Sequence, residues 1–545
     1  MKYNKIIALA LAGFMAASCS DIDNQLPEGG ALTNEQVQDA TSAIPERTQA
    51  TFAGMFAMMG KPHATWPTGG NSSRADDFGF ISAALSLDLE GSDMVSLNSD
   101  YNWFSTASEL STREANYANP YMRYVIPYRQ IGLANQIIDG IAEDAISEDA
   151  INMRAQACAI RAFDYMSLAP YFQFADAEHF DEPCIPLLDG KHGLGDNPRA
   201  SVREVYQAII ADLDWAIAHL TEARADKSKI NKNVAYGLRA RANLFLGNFA
   251  EAAADADSAM VGYQPATMEE LGEPAFYNIN DHNWMWGIII TEDIAMLGQM
   301  CTAGSWISPF SATAYAAYAQ LTPQINTLLY NLIPATDVRK NWWIDENLYS
   351  PLLDQVSWNG VSGAEISKLT IADVKDTYLP YTNVKFGMKS GVGSEMNNND
   401  WPLMRVEEMI LIKAEGLIKS GQEAAGEKVM TDFIKTYRDP EYVRSEVRTL
   451  EDEVWFQRRV ELWGEGFATG DIKRLGKPIV RFHENQPIAS NYPDAFKFNV
   501  KADDGWLNMR FPQTEKDNNK AIVDNEGGQQ PVPGQNPELL DGVTD

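Results

Sequence analysis

Two stretches of this sequence, far apart, carry the same skeleton, and it constrains the fold more than any other feature. Residues 233–246 and 249–260 show the apolar spacing of two amphipathic helices meeting at Gly247-Asn248. Ala240, Ala252 and Ala259 put small residues where such helices touch, and Gly247 suits the left-handed turn between them. Residues 404–437 repeat the pattern with Ala414, Leu417, Gly421 and Gly426, and the steps Ala240–Gly247 and Ala414–Gly421 are equal. Units of this kind bury their apolar faces only by stacking on one another. Other helices follow from periodicity and caps. Thr33 with Gln36 opens one over residues 34–59, ended by Gly60-Lys61-Pro62, and Ser201 with Glu204 opens another that runs to Leu220. Residues 120–141 and 148–172 complete the set.

The expected pairs are 34–59 with 120–141, 148–172 with 201–220, 233–246 with 249–260, and 404–420 with 422–437. Such hairpins resemble tetratricopeptide repeats. The fold class expected is therefore mostly α: about four tetratricopeptide-like helical hairpins, a large irregular, loop-rich insert and few short strands. The helical frame is placed at 34–261 and 403–476, with the insert at 262–402, all within one domain spanning 34–512. Residues 513–545 are polar and turn-rich, and are expected to be a partly disordered tail.

The insert differs from its surroundings. Six of the thirteen tryptophans, Trp284, Trp286, Trp306, Trp342, Trp343 and Trp358, fall between residues 278 and 359, off any helical period. A flat indole buries the C–H face of a sugar ring with little loss of entropy, and Arg339 lies among them with Asn and Asp residues that can select hydroxyls. Two neighbours cannot both face inward from one side of a helix, so one of Trp342 and Trp343 is expected to face solvent or ligand. Trp66, Tyr101, Asn102 and Trp103 form a second aromatic cluster, expected to be an opposite wall.

Charge narrows the partners. With 44 Lys and Arg against 75 Asp and Glu, the net charge is -31, which excludes the clustered basic surface that nucleic acid needs. The six histidines are scattered, and no HExxH, GxSxG or phosphate-loop spacing occurs. No metal, cofactor or catalytic residue is expected. Lys2 and Lys5 followed by the short apolar run 6–17 read as a signal peptide over residues 1–18. Ala16-Ala17-Ser18-Cys19 resembles a lipobox, with Ala16 in place of the usual leucine; Cys19 is then the lipidated residue. Residues 19–33 follow as an extended, acidic tether. Cys158, Cys184 and Cys301 have no CxxC spacing and support neither a disulfide framework nor a zinc site.

Motifs in a consistent order complete the reading. Tyr128, Ala134, Asn135, Ile137 and Ile138 form the first, followed by Arg161-Ala162 with Tyr165 and by Pro183 to Leu187. Next come Arg199, Ser201-Val202 and Glu204-Val205-Tyr206 with Asp212-Leu213, and then Arg405, Glu408 and Ala414-Glu415. The last comprises Arg458-Arg459, Glu461-Leu462, Glu465-Gly466, Asp471, Arg474 and Gly476. Together they resemble the SusD/RagB family of nutrient-binding outer-membrane lipoproteins. Gln457 and Ala468-Thr469-Gly470 depart from the final motif. The i, i+3 and i, i+4 spacing of the Arg and Glu residues in 405–415 and 458–474 also suits structural ion pairs, within one helix or between helices.

The resemblance implies a surface-exposed lipoprotein, lipid-anchored to the outer membrane. It would capture an oligosaccharide and hand it to a SusC-like TonB-dependent transporter. A peptide receptor on the same fold is the alternative, and a glycan-processing enzyme the third reading.

Overall fold

A computed structural model describes residues 45–61, 79–97, 103–189, 195–295, 303–312, 322–371, 375–484 and 487–545. Cys19, Trp66, Tyr101, Asn102 and Cys301 lie outside the described residues, and of Trp103 only the backbone is described. The array comprises α1 (Pro45–Ala57), α2 (Phe80–Glu90), α3 (Ala118–Gly140), α4 (Glu148–Phe172), α5 (Val202–His219) and α6 (Lys232–Phe245). It continues with α7 (Phe249–Ala259), α8 (Val406–Lys419), α9 (Glu423–Tyr437), α10 (Leu450–Glu461) and α11 (Ala468–Arg474). The short strands are β1 (Met94–Val95), β2 (Trp284–Ile288), β3 (Gln324–Ile325), β4 (Ser357–Trp358), β5 (Val361–Ser362) and β6 (Trp401–Arg405).

Helix starts follow local chemistry. Ser201 accepts from the Glu204 backbone N–H while Glu204 accepts from that of Ser201, the reciprocal capping box expected at α5. Ser147 caps α4, where Glu148 and Asp149 oppose the positive helix end. The turns after α6 and α8 place Gly247 at φ +79° and Gly421 at φ +85°, backbone that other residues adopt only with strain.

All four expected helix pairs, α1 with α3, α4 with α5, α6 with α7 and α8 with α9, pack against each other. The array continues across the insert, because α8 lies directly on α7. Gly416 permits that contact: a Cβ there would stand 2.5 Å from the Phe249 carbonyl oxygen. The insert is closed at its base by an antiparallel ribbon in which Trp284 pairs with Arg405 and Ile288 with Trp401.

The sequence motifs meet in space as a fastening. Arg161 on α4 bonds Asp212 on α5 at 2.6 and 2.8 Å, and Asn135 on α3 at 2.8 Å. The Tyr128 and Tyr165 hydroxyls donate to the carbonyls of Pro186 and Leu188 at 2.6 and 2.8 Å, pinning the extended 183–188 connector to the helices. These polar contacts set the register of α3, α4 and α5 and of the connector.

The expected disordered tail is corrected. Residues 513–545 return along the frame, where the Asn519 side chain accepts the Asn197 backbone N–H at 2.9 Å and donates to the Asn197 carbonyl at 2.8 Å. Asp541 pairs with Arg459 at 2.7 Å, and Val543 is buried. Part of its polar composition serves contacts with other segments, as at Asn519, Asn525 and Asp541. Cys158 and Cys184 are buried free thiols. Among the described residues, no helix is long and apolar enough to cross a membrane.

Candidate functional site

An irregular four-segment ladder organises the insert. β1 pairs with β3 through Met94–Ile325 and Val95–Gln324. On the other side of β3, the Ile325 N–H donates to the Tyr381 carbonyl at 3.1 Å. Residues 342–344 then join 381–384: Tyr381 N–H to Ile344 carbonyl at 3.0 Å, Ile344 N–H to Thr382 carbonyl at 3.0 Å, and Val384 N–H to Trp342 carbonyl at 2.8 Å. Trp306 stacks on Phe104 with ring centroids 4.2 Å apart. The insert and the stretch around Trp103 are thereby held in one framework.

The tryptophan expectation is corrected here. Trp284, Trp286, Trp306, Trp342, Trp343 and Trp358 are all at most 2% exposed, so none offers an open face to a ligand. Trp342 and Trp343 are both inside, because the chain leaves a 3-10 turn into extended backbone and the ladder is covered on both faces. Successive extended residues point to opposite sides. Trp342 meets Phe276 edge-on at 5.3 Å, and Trp343 meets Trp463 at 5.4 Å. Trp286 packs on Phe163, and its indole N–H donates to the Ser228 carbonyl at 3.1 Å. Accordingly Trp343→Ala should act on stability, lowering it by about 3–4 kcal/mol. Equilibrium urea unfolding checks this, and an unchanged midpoint would return the residue to the ligand surface.

Arg339 is corrected too. It is fully buried and pairs with Asp337 at 2.6 Å, with Glu461 at 3.4 Å and with the Gln457 side-chain oxygen at 2.6 Å. It belongs to a buried network in which Arg405 bonds Glu461 and Glu465 at 3.1 and 2.8 Å, Arg438 bonds Glu461 at 2.8 Å, and Lys385 bonds Glu465 at 2.8 Å. Arg474 joins Glu415 and Asp471 alongside. The structural ion-pair reading of these motif residues is the one the geometry supports.

What the ladder region does present outward is a tyrosine rim, Tyr381 and Tyr349, over the buried Tyr330, none of which the sequence reading assigned to the site. Tyr381 is half-buried and meets Tyr330 edge-on at 5.1 Å, and the Lys340 ammonium lies 4.7 Å from the centre of the Tyr330 ring. Tyr349 is exposed, and its hydroxyl donates to Asp354 at 2.8 Å. Asp345 accepts the backbone N–H of Asn347 and Tyr349 at 2.8 and 2.9 Å, shaping the loop between them. Burial, then the nearby Asp345 and Glu346 carboxylates, hold the Tyr330 and Tyr381 phenols above their ordinary range, so both remain neutral donors. Leu348 and Tyr381 sit at φ +65° and +68°, costly backbone for such side chains and of the kind that gathers at binding sites. Tyrosines at loop edges carry no periodic signal; only the cross-ladder pairing brings these together. Among the described residues, no group of His, Cys, Asp or Glu could hold a metal ion.

A helical array bearing an irregular half with an aromatic rim matches one known class. The sequence profile described as "Starch-binding associating with outer membrane" matches residues 83–244, and that of the SusD family matches residues 329–533. The chain belongs to the SusD/RagB family.

Its relatives place it further. It is 26% identical over 377 residues to SusD-like protein P2 of Formosa agariphila, covering 64% of this chain and 70% of that one. The crystal structure of a SusD-like carbohydrate binding protein from Bacteroides vulgatus is similar in fold, with TM-score 0.70 and 22% identity over 88% of this chain and 97% of that one. A laminarin-binding SusD-like protein is similar with TM-score 0.61 and 17% identity, over 88% and 99% of the two chains.

Proposed function

We propose that this protein is a cell-surface glycan-binding lipoprotein, anchored in the outer membrane through Cys19, that captures an oligosaccharide and delivers it to a SusC-like TonB-dependent transporter. The observation that carries the reading is the tyrosine rim on a ladder whose first strand leads toward Trp103, in a chain of this family. Tyr381 and Tyr349 offer flat apolar faces for sugar rings, while Lys340, Asp345, Glu346 and Asn347 offer donors and acceptors for hydroxyls. Trp66, Tyr101, Asn102 and Trp103, the aromatic cluster expected from the sequence, are proposed as further ligand contacts. Carboxylates outnumber cations at this rim, and the whole chain is acidic at -31. An uncharged glycan therefore suits it better than a sulfated or uronic one. On this reading the protein binds its glycan and passes it on without cleaving it.

Calorimetry with neutral oligosaccharides, among them laminarin fragments, tests this reading. Tyr381→Ala and Trp103→Ala should each weaken binding by roughly tenfold, the loss of one stacking platform, with far-ultraviolet circular dichroism unchanged. Full affinity in both variants would place the site elsewhere. Binding of peptides in place of glycans would replace the reading with that of a peptide receptor, and release of shorter sugars from bound glycan would overturn the non-enzymatic assignment.

A further inference from the structure

Away from the rim, α2, α3, α4, α6, β6, α11 and the turn before α11 line a partly open cavity of about 120 Å³. Most of its wall is apolar, including Leu87, Ile126, Phe163 and Phe467. Pro127 within α3 and Pro170 within α4 line it as well. Each proline removes one backbone N–H donor from its helix.

Two polar side chains on this wall are unsatisfied. Arg123 is 1% exposed, and its Nε, Nη1 and Nη2 atoms have no acceptor. Trp401 is 1% exposed, and its indole N–H has none either. Both groups are donors only. The other charged residues of the wall are already paired: Arg241 with Glu408, Glu465 with Arg405 and Lys385, and Asp471 with Arg458 and Arg474. Arg123 is thus the one uncompensated charge of the wall among the described residues. A guanidinium does not shed its proton, and an unpaired buried charge is costly. A group with acceptor oxygens and a negative charge complements these donors.

We propose that the cavity is a binding site for a small monocarboxylate, distinct from the glycan rim. The carboxylate would take paired N–H bonds from Arg123, with Trp401 as a further donor, and a short alkyl chain would occupy the apolar wall. The volume sets the size. A dry cavity of about 150 Å³ accepts benzene, so this one suits an acid of about four carbons.

Butyrate is the probe, measured by calorimetry and thermal shift on the full chain. Saturable binding at one site with a raised Tm is expected. Butyramide, which lacks the charge, and octanoate, which is too long, should not bind. Arg123→Met keeps the volume and removes the charge, and should weaken butyrate binding roughly thirtyfold or more. The variant should still fold, since it loses an unpaired charge and no partner. Ala84→Leu fills the cavity while leaving Arg123 in place, and should abolish binding too; it decides the matter if Arg123→Met does not fold. Glycan affinity should be unchanged in both variants, which separates this site from the rim. Absence of saturable butyrate binding to the wild type would mean a cavity filled by water alone and would overturn the proposal, as would wild-type affinity in either variant.

Discussion

Replacing Glu461 by alanine is expected to destabilise the protein by roughly 5 kcal/mol, the upper end for breaking a buried ion pair. Glu461 is fully buried and joins three guanidinium groups: Arg405 at 3.1 Å, Arg438 at 2.8 Å and Arg339 at 3.4 Å. Removing it leaves three cations with fewer partners in a site that water does not reach. Such a loss is comparable to the whole stability of an ordinary domain, so Glu461→Ala should fold poorly or show a much lower urea midpoint. Glu461→Gln keeps the volume and one acceptor oxygen and should fall between. Arg203→Ala is the control: its pair with Asp181 is exposed on both sides, and its loss should leave the midpoint unmoved. A Glu461→Ala variant as stable as the Arg203 control would mean that the network contributes nothing net.

The second large effect is acid sensitivity. Burial alone would raise the Glu415 carboxyl, but Arg474 overrides it, with further help from Lys419 and Arg458, and holds it down at about 2. Burial also works upward on Glu461 and Glu465, but the arginines beside them, Arg438 and Arg405 foremost, hold both below their ordinary range. A carboxyl depressed on folding stabilises fully above its unfolded value near 4.5, and that stabilisation is lost as pH falls toward the folded value. For Glu415 alone the window from about 4.5 to 2 corresponds to roughly 3 kcal/mol. Unfolding free energy measured from pH 6 down to pH 3 should therefore fall steeply below about 4.5. Asp88 acts in the opposite direction over a different window. Burial pushes its carboxyl up to about 7, although the Ala468 and Gly466 backbone N–H groups favour the charged form. Its contribution is present below its ordinary value and is lost as pH rises toward 7, and Asp88→Asn should remove that slope while leaving the acid transition in place. Stability independent of pH between 6 and 3 would show that these ion pairs are replaced as well in the unfolded chain.

The frame was legible because its signals are local. Caps such as Ser201 with Glu204, apolar periodicity and turn glycines act within a few residues, and each expected helix that lies among the described residues forms close to its expected bounds. Helical spacing marked the motif arginines and glutamates as ion-pairing residues, but most of their partners lie on distant segments, Arg405 on Glu461 and Glu465 and Arg474 on Glu415. Even the departure at Gln457 is accommodated, since its side-chain oxygen takes an Arg339 N–H at 2.6 Å. The network's other members were not legible. Lys385 and Arg438 reach Glu465 and Glu461 only because the ladder and the end of α9 come back against α10.

The aromatic insert divides differently. Its composition announced a dense aromatic region, and the physics of indole burial serves a core as well as a sugar platform. Which use applies depends on whether something covers each ring, and that is decided by segments distant in sequence: Trp463 over Trp343, Phe276 against Trp342, Phe104 on Trp306. The same holds for the rim and the cavity. Tyr330 and Tyr381 become neighbours through ladder hydrogen bonds, and Arg123 is left without a partner because of what six separate elements do not bring to it. The sequence by itself determined the helices, their caps and turns and the family, because those rest on short-range spacing and on motifs read in order. Only the tertiary structure decided which aromatic and charged side chains are buried, paired or left open, because burial and pairing are properties of contacts between distant segments.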